Sequence, residues 1–442
     1  MFEFLRRSSP LWRHAGFNRL WAAQILSGFG NRITRTALPI IAVMILDAGP
    51  SETAMLTAIS LAPAILAGLL GGGFVERANK LRLMVAMDLI RFAAVIVAPV
   101  AWFFHVLSFP LLCVIGGVTG LASALFANAD VSILPRLVGK DQVVEANSRL
   151  QATESLAELV GPGAAGILID LLTAPIAIIT DALTFLWSAF WIFSIPKAVG
   201  GQPEATKGEK AAQPSALATL RDDFVVGIGA IAKRPALVAI NLSLAIFYLT
   251  AGAFGALYTL FMLRELGLTP SAMGLIISVG GASALVGSLM ALPLARRVGF
   301  GPALILGFAI AMCGMVMLIP AAVFAGKGWA PLFMVAQQAL GDAGFMIFAI
   351  LSTSLSQKLL PEGQIARANG FGQVVSGVAM TTSILCAGAV AEVFGVKETI
   401  AWAAGLGTLG LLPLLTPTLW RLQEEPEEGR ATGPEGVVSE KL

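Results

Sequence analysis

Residues 137–147 read Leu-Val-Gly-Lys-Asp-Gln-Val-Val-Glu-Ala-Asn, and residues 359–369 read Leu-Leu-Pro-Glu-Gly-Gln-Ile-Ala-Arg-Ala-Asn. The two stretches align without a gap at an offset of about half the 442-residue chain. The identical positions are Leu137/Leu359, Gln142/Gln364, Ala146/Ala368 and Asn147/Asn369. Each copy is a short polar segment between two long apolar stretches. A chain that repeats itself in this way is expected to form two similar helical bundles with a substrate path between them.

The composition is that of a membrane protein. Hydrophobic residues make up 57% of the chain and charged residues 13%, against about 25% charged in soluble domains. Apolar stretches near or above the ~20 residues needed to cross a bilayer recur along the chain. Twelve spans are predicted, at 17–46, 53–75, 83–104, 110–134, 149–170, 175–195, 236–263, 271–294, 302–324, 330–354, 368–392 and 398–419. The predicted fold class is therefore all-α, an integral membrane protein with twelve transmembrane helices in two six-helix bundles.

Four regions follow from these spans. Residues 1–196 are predicted to form the first bundle and residues 236–420 the second. Residues 197–235 are predicted to be a cytoplasmic linker, and residues 421–442 a disordered acidic tail. The linker is expected to contain an amphipathic helix on the membrane face, ended by Pro235. The apolar face of that helix consists of Leu217, Leu220, Phe224, Ile228 and Ile231.

The basic residues predict the orientation. Of the 29 Lys and Arg residues, Arg32, Arg35 and Arg91 lie deep within spans and three lie in short loops on one side. The other 23, including Arg19 and Arg149 at span ends, lie on the opposite side. The positive-inside rule places that basic side in the cytoplasm, and both chain termini lie on it.

Several classes of function are excluded by what the sequence lacks. Cys113, Cys313 and Cys386 stand alone in apolar spans, and His14 and His105 are isolated, so no metal site is predicted. The sequence has no basic patch with interleaved aromatic residues, so nucleic-acid binding is not expected. No nucleophile–base constellation or nucleotide-phosphate loop is present, so we expect neither an enzyme nor a cofactor.

The loop after the second span carries a family motif. Residues 72–82 read Gly-Gly-Phe-Val-Glu-Arg-Ala-Asn-Lys-Leu-Arg, which resembles the signature Gly-x-x-x-Asp-Arg-x-Gly-Arg-Arg of the major facilitator superfamily. Gly72, Arg77 and Lys80 match, Glu76 stands for the Asp, and Asn79 departs from the second Gly. The carboxylate and the guanidinium are expected to hold a neighbouring helix end in one of two states. The alternative is an ordinary basic inside loop.

Shorter segments resemble one bacterial branch of that superfamily, which contains the enterobactin exporter and macrolide efflux proteins. The segments are residues 88–91, 134–138, 145–147 and 161–166. Gly161, Pro162 and Gly166 match the end of a fifth-span signature associated with export. A Pro-kinked helix with small residues at a helix contact is the alternative interpretation. The resemblance covers roughly residues 17–420 and implies a monomer in the bacterial inner membrane.

The resemblance also implies that spans one, four, seven and ten line the substrate path. The polar residues on these spans are Asn31, Arg32, Arg35, Asp130, Tyr248, Gln338 and Asp342. The exporter branch often has an Asp where this chain has Asn31 and a basic residue where it has Asp130. We therefore expect Arg32 or Arg35 to pair with Asp130, either as a structural ion pair or in a substrate or coupling role.

Buried carboxylates are the candidates for proton coupling. Glu154 and Glu158 share a face of span five, so we expect their repulsion to be relieved by a proton or an arginine. Asp342, Asp130 and Glu158 are the proposed proton carriers. Asp170 and Asp181 stand near span ends and are expected to be caps or interface residues.

The sequence thus predicts secondary active export, by alternating access and driven by inward proton flow, of a small amphipathic compound such as a drug, macrolide or siderophore. Its expected partners are that compound, protons and the lipid bilayer. An importer, or a carrier of lipid or metal ion with the same fold, remains the alternative. A transport-derived sensor is a further alternative.

Overall fold

The computed structural model describes residues 11, 14–196, 225–326 and 328–420, with the backbone alone for residues 64–74, 76, 77, 140, 362 and 366. The first half contains helices α1 (Ala15–Met44), α2 (Pro50–Arg77), α3 (Lys80–Phe103), α4 (Phe109–Val138), α5 (Val143–Leu172) and α6 (Ala174–Phe193). The second half contains α7 (Pro235–Leu260), α8 (Pro270–Val298), α9 (Phe300–Val316), α10 (Ala330–Leu359), α11 (Glu362–Phe394) and α12 (Val396–Gly407). No strand occurs within these described ranges.

The helices have the length and polarity of membrane spans. Ten of them are long and apolar enough to cross a bilayer, counting α7, α9 and α12 with the short helical turns that continue them. The other two, α1 and α2, are 30 and 28 residues long. α1 is more polar because it carries Arg19, Arg32 and Arg35, and part of α2 is described by its backbone alone. The all-α, multi-pass membrane architecture is confirmed.

The half-length repeat joins equivalent helices. Its first copy links α4 to α5, and its second copy links α10 to α11. The two copies have different residues at the turn between the two helices. Gly139 ends α4 with φ at 76°, a left-handed conformation that favours glycine, whereas the aligned Pro361 precedes α11 with φ at −59°.

The halves pack first within themselves. In the first half α1 packs against α5 and α6, while α3 packs against α4 and α6. In the second half α10 packs between α8 and α9, and α7 packs against α11. The two halves then meet along two seams, α5 against α8 and α2 against α11. This arrangement leaves α1, α7 and α10 facing a space between the halves.

The predicted linker helix is described in part. Residues 225–232 are helical, and Ile231 is buried with Leu237, Leu360 and Ala368 at the end of α10 and start of α11. That helix ends at residue 232, and Arg234 is extended with φ −128° and ψ 100°, because proline disfavours the helical conformation of the residue before it. Pro235 then begins α7, since proline is well suited to a first helical turn. Leu217, Leu220 and Phe224 lie outside the described residues, as does the tail from residue 421.

Candidate functional site

A cavity of about 830 Å³ lies between the two halves. It is formed by α1 and α5 on one side and by α7, α8, α9 and α10 on the other. Five of the predicted path residues line it, namely Arg32, Arg35, Glu158, Gln338 and Asp342. Three do not, namely Asn31, Asp130 and Tyr248. The cavity is large enough for a drug-sized molecule.

The wall formed by α1 and α5 carries an ion-pair cluster. Arg32 donates from Nη2 to Glu154, and its Nη1 lies 3.5 Å from Oε1 of Glu158. The Arg32 side chain is 14% exposed, whereas the Glu154 and Glu158 side chains are 50% and 60% exposed. The expectation that an arginine relieves the repulsion between the two glutamates is confirmed. Of the two carboxylates, Glu158 lines the cavity.

The expected pair between Asp130 and an α1 arginine is wrong. Asp130 accepts a hydrogen bond from Nε2 of Gln24 at 2.6 Å, and Arg32 pairs with α5. The reason is the level along α1. Gln24, which meets Asp130, lies eight residues before Arg32 and eleven before Arg35, so the two arginines stand roughly 12 and 16 Å further along the helix axis.

Gly161 makes room for Arg32. A Cβ atom built on Gly161 would lie 2.7 Å from Cβ and 2.8 Å from Cγ of Arg32. The stem of the arginine therefore packs directly on the backbone of α5, and its guanidinium extends toward Glu154. This contact explains why the first position of the helix-five motif is a glycine.

The opposite wall of the cavity carries polar side chains on α10 and aromatic rings on α7 and α10. Gln337 accepts a hydrogen bond from the hydroxyl of Tyr258 at 3.1 Å, and Ser283 donates to the carbonyl of Gln338 at 2.9 Å. Asp342 faces the cavity beside Gly280 of α8. These contacts hold α7, α8 and α10 together behind the Asp342 carboxylate.

Aromatic rings form the rest of that wall. Phe247 stacks on Phe345 with ring centroids 4.7 Å apart, and Tyr248 meets Phe345 edge-on at 6.5 Å. Phe254 also lines the cavity. Sequence reasoning missed Phe247, Phe254 and Phe345, since a phenylalanine in an apolar span has no pattern that separates cavity lining from core packing.

The remainder of the helix-five motif lies in the seam with α8. A Cβ atom on Gly166 would lie 2.9 Å from both the carbonyl carbon of Pro270 and Cα of Ser271. The backbone N–H of Gly163 donates to Ser278 at 3.0 Å. Asp170 accepts from the backbone N–H of Ser271 at 3.0 Å, so it caps α8 across the seam. Its predicted role as a cap or interface residue is confirmed.

Further polar contacts join the halves at the same end. Arg264, after α7, donates to Asp47 at 2.5 Å and to the carbonyl of Val43 at 2.8 Å. The hydroxyl of Ser51 on α2 donates to Glu392 on α11 at 3.0 Å. We call this the closed end. Toward the other end Gln151 of α5 is exposed and lines the cavity, which gives the cavity access from that direction.

The signature loop is described in part. The side chains of Glu76 and Arg77 lie outside the described residues, so their switch role stays a prediction. Asn79, which departs from the family glycine, accepts a hydrogen bond from the backbone N–H of Arg82 at 3.1 Å and caps α3. Lys80 is 3% exposed, and its Nζ donates to the carbonyl of Ala78 at 3.2 Å.

We expect the changes Arg32→Gln and Glu154→Gln to be non-additive. The pair is half exposed, so its coupling is expected to be about 0.5–1 kcal/mol in a double-mutant cycle. Thermal unfolding of the purified variants measures it. Arg32→Gln combined with Asp130→Asn is the matched control and should be additive within about 0.5 kcal/mol. A larger coupling with Asp130 than with Glu154 would contradict the described pairing.

Comparison with known proteins assigns the chain to a family. The family model of the Major Facilitator Superfamily matches residues 20–383. An uncharacterized MFS-type transporter, YvqJ of Bacillus subtilis (strain 168), is 23% identical over 424 residues, covering 92% of this chain and 94% of the relative.

Solved structures share the fold. A bacterial homologue of the iron transporter ferroportin, in its inward-facing state, has a TM-score of 0.74 and 16% identity, with 92% of this chain and 98% of that chain covered. The nucleoside transporter NupG has a TM-score of 0.68 and 13% identity, with 92% and 100% covered. The match over most of the helices, together with a cavity between two six-helix halves, makes the chain a membrane transporter and not an enzyme, and it belongs to the Major Facilitator Superfamily.

Proposed function

We propose that this transporter is a proton-coupled exporter of a small amphipathic compound, working as a monomer by alternating access in a bacterial inner membrane. The observation that carries the proposal is the cavity between the halves, which has an ion-paired wall on α1 and α5 and an aromatic wall with one carboxylate on α7 and α10. One end of the molecule is closed by contacts between the halves, as alternating access requires of each state.

The lining supports an amphipathic substrate. Phe247, Phe254 and Phe345 offer apolar and aromatic surface to a ring system or an acyl part. Asp342 and Gln338 offer polar contacts to a cationic or hydroxyl-bearing group on the same molecule. Drugs, macrolides and siderophores are compounds of this chemistry.

The position of Asp342 supports proton coupling. Its carboxylate faces the cavity, and its charge interacts with that of Glu158 on the other half. Uptake of a proton by either group weakens that repulsion and so favours approach of the two walls. Asp342 is the first candidate for the coupling residue, followed by Glu158. Asp130 lies outside the cavity lining and ranks last.

Transport in inverted vesicles tests the function. Candidate drugs, macrolides and siderophores are offered with and without an uncoupler, and vesicles lacking the protein provide the baseline. Accumulation of one compound that the uncoupler abolishes supports proton-driven export. Accumulation in right-side-out vesicles under the same gradient would favour the importer alternative.

Orientation is expected to follow the basic residues, with both termini in the cytoplasm. In a variant without native cysteines, Gly328→Cys should react with an impermeant maleimide added to intact cells, and Thr206→Cys should not. The 23 basic residues on the terminal side disfavour translocation of that side. Equal labelling of the two positions would contradict the topology, and labelling after membrane permeabilisation serves as the control.

The signature loop is expected to control switching between states. Arg77→Ala should lower the transport rate by an order of magnitude or more while membrane insertion is retained, because loss of a paired charge shifts a two-state balance. Transport per expressed molecule measures the effect. Arg82→Ala, which changes a charge just outside the core signature, is the matched control. Equal rates for the two variants would make the loop a topology signal alone.

A further inference from the structure

A second group of charged residues lies buried within the first half, away from the cavity. Asp88 and Arg91 of α3 form an ion pair, and their side chains are 0% and 2% exposed. Asp181 of α6 is also 0% exposed and lies close enough for its charge to interact with both. Asp181 is the eighth residue of α6, so it lies away from the helix end and is not a cap, and the interface alternative of its predicted role is confirmed. It is an interface residue between α6 and α1.

The group is sealed by aromatic rings and by α1. The guanidinium carbon of Arg91 lies 4.5 Å from the ring centroids of both Phe126 and Phe185. These rings cover two sides of the cation and separate it from lipid and water. On the α1 side, Gly30 packs so closely that a Cβ there would lie 3.0 Å from Cγ2 of Thr184.

Several polar atoms in this group lack a hydrogen-bond partner. Within the described part of the chain these are Oδ2 of Asp88, Oδ2 of Asp181, Nε of Arg91 and the hydroxyls of Thr34 and Ser188. Ser188 is 0% exposed and Thr34 is 7% exposed, and they lie beside Asp88 and Asp181 respectively. Buried polar atoms are seldom left without a partner. The two hydroxyls are close enough to interact with these carboxylates but bring no charge, so the charge of the group decides what further ligand it binds.

The charge balance identifies that ligand. Two carboxylates face one guanidinium, while Thr34 on α1 and Phe126 on α4 add no charge. With both acids ionised the group carries one negative charge that no cation among the described residues neutralises, in a place closed to water. A single proton removes that charge and provides one additional O–H donor for an orphan oxygen.

We propose that Asp88, Arg91 and Asp181 form a proton-binding site, separate from the substrate cavity, in which the two carboxylates share one exchangeable proton. The proton enters from water and binds a carboxylate oxygen. The site is closed in the described conformation, so exchange requires a movement of α1. That helix has Gly30 and Thr34 against the proton site and Arg32 and Arg35 at the cavity, so it connects the two.

Infrared spectroscopy of the purified transporter in lipid nanodiscs, without any substrate, tests the proton site. The wild-type protein should show a carboxylic-acid C=O band that shifts in heavy water. Asp181→Asn and Asp88→Asn should each remove this band, since either leaves one carboxylate for Arg91. Asp342→Asn, which changes the cavity carboxylate, should retain it. Arg91→Gln should strengthen the band, because two acids would then lack a cation.

Thermal unfolding across the pH range provides a second readout. Asp181→Asn should fold, because Asn has the shape of the protonated acid, and its stability should depend less on pH than that of the wild-type protein. A band that persists in both Asp88→Asn and Asp181→Asn, with unchanged pH dependence of stability, would overturn the proton site. The link to transport rests on the proposed proton-coupled function and has its own measurement. Loss of gradient-driven accumulation in Asp181→Asn supports the link, and unchanged accumulation removes it while leaving the proton site standing.

Discussion

Replacing Asp342 by Asn is expected to abolish proton-driven accumulation of substrate, reducing it to the level of vesicles that lack the protein. Coupling requires a group that binds a proton on one side and releases it on the other. Asn keeps the size and polarity of the side chain but cannot exchange a proton. Accumulation in inverted vesicles under an imposed pH gradient measures the effect.

The same Asp342 variant should retain downhill exchange of labelled substrate, because Gln338 and the aromatic wall are unchanged. Asp141→Asn, at an exposed aspartate of the α4–α5 loop, is the matched control and should accumulate substrate normally. Uphill transport by the Asp342 variant would exclude this residue as the coupling site. Glu158→Gln and Asp130→Asn would then be tested in the same assay.

Replacing Gly166 by Val is expected to lower the transport rate roughly 5- to 150-fold by disfavouring closure of the α5–α8 seam. The added side chain would meet the backbone of Pro270 and Ser271, which cannot rotate away as a side chain can. Overpacking of this kind costs about 1–3 kcal/mol, which lowers the population of the closed-end state roughly 5- to 150-fold. Transport per expressed molecule is the measurement.

Labelling can show that the Gly166 variant is trapped rather than unfolded. In a background without native cysteines, Ala54→Cys should react faster with an impermeant maleimide when combined with Gly166→Val, because Ala54 is 2% exposed beside Gly388 in the α2–α11 seam of the closed end. Gly405→Val is the matched control, since a Cβ on Gly405 of α12 has nothing within 4 Å. If both glycine variants transport equally well, the seam does not govern switching.

The polar residues of the first span illustrate both the reach and the limit of sequence reasoning. Arg32 and Arg35 were predicted to line the path because a charge within a span needs a cavity or a partner, and both line the cavity. The partner of Arg32 was predicted wrongly. Charge complementarity alone allowed Asp130 or Glu154, and the choice depends on which helix residue lies opposite each level of α1.

Asp181 shows a second limit. Its position in the predicted sixth span suggested a cap or an interface residue. Its burial follows from the packing of α6 against both α1 and α3, with Gly30 removing the side chain that would have filled the space. Burial between three helices has no counterpart in the local sequence of any one of them.

The sequence by itself determined the helical spans, the half-length repeat and the residue types available for transport chemistry. Hydropathy and span length are properties of consecutive residues, so the bilayer selects for them locally. Only the tertiary structure decided that Arg32 pairs with α5, that Gly166 lies in the seam, and that Asp88, Arg91 and Asp181 share one buried place. Some of those contacts join residues more than a hundred positions apart in the chain. They depend on how the helices are oriented against each other where small residues allow two backbones to approach.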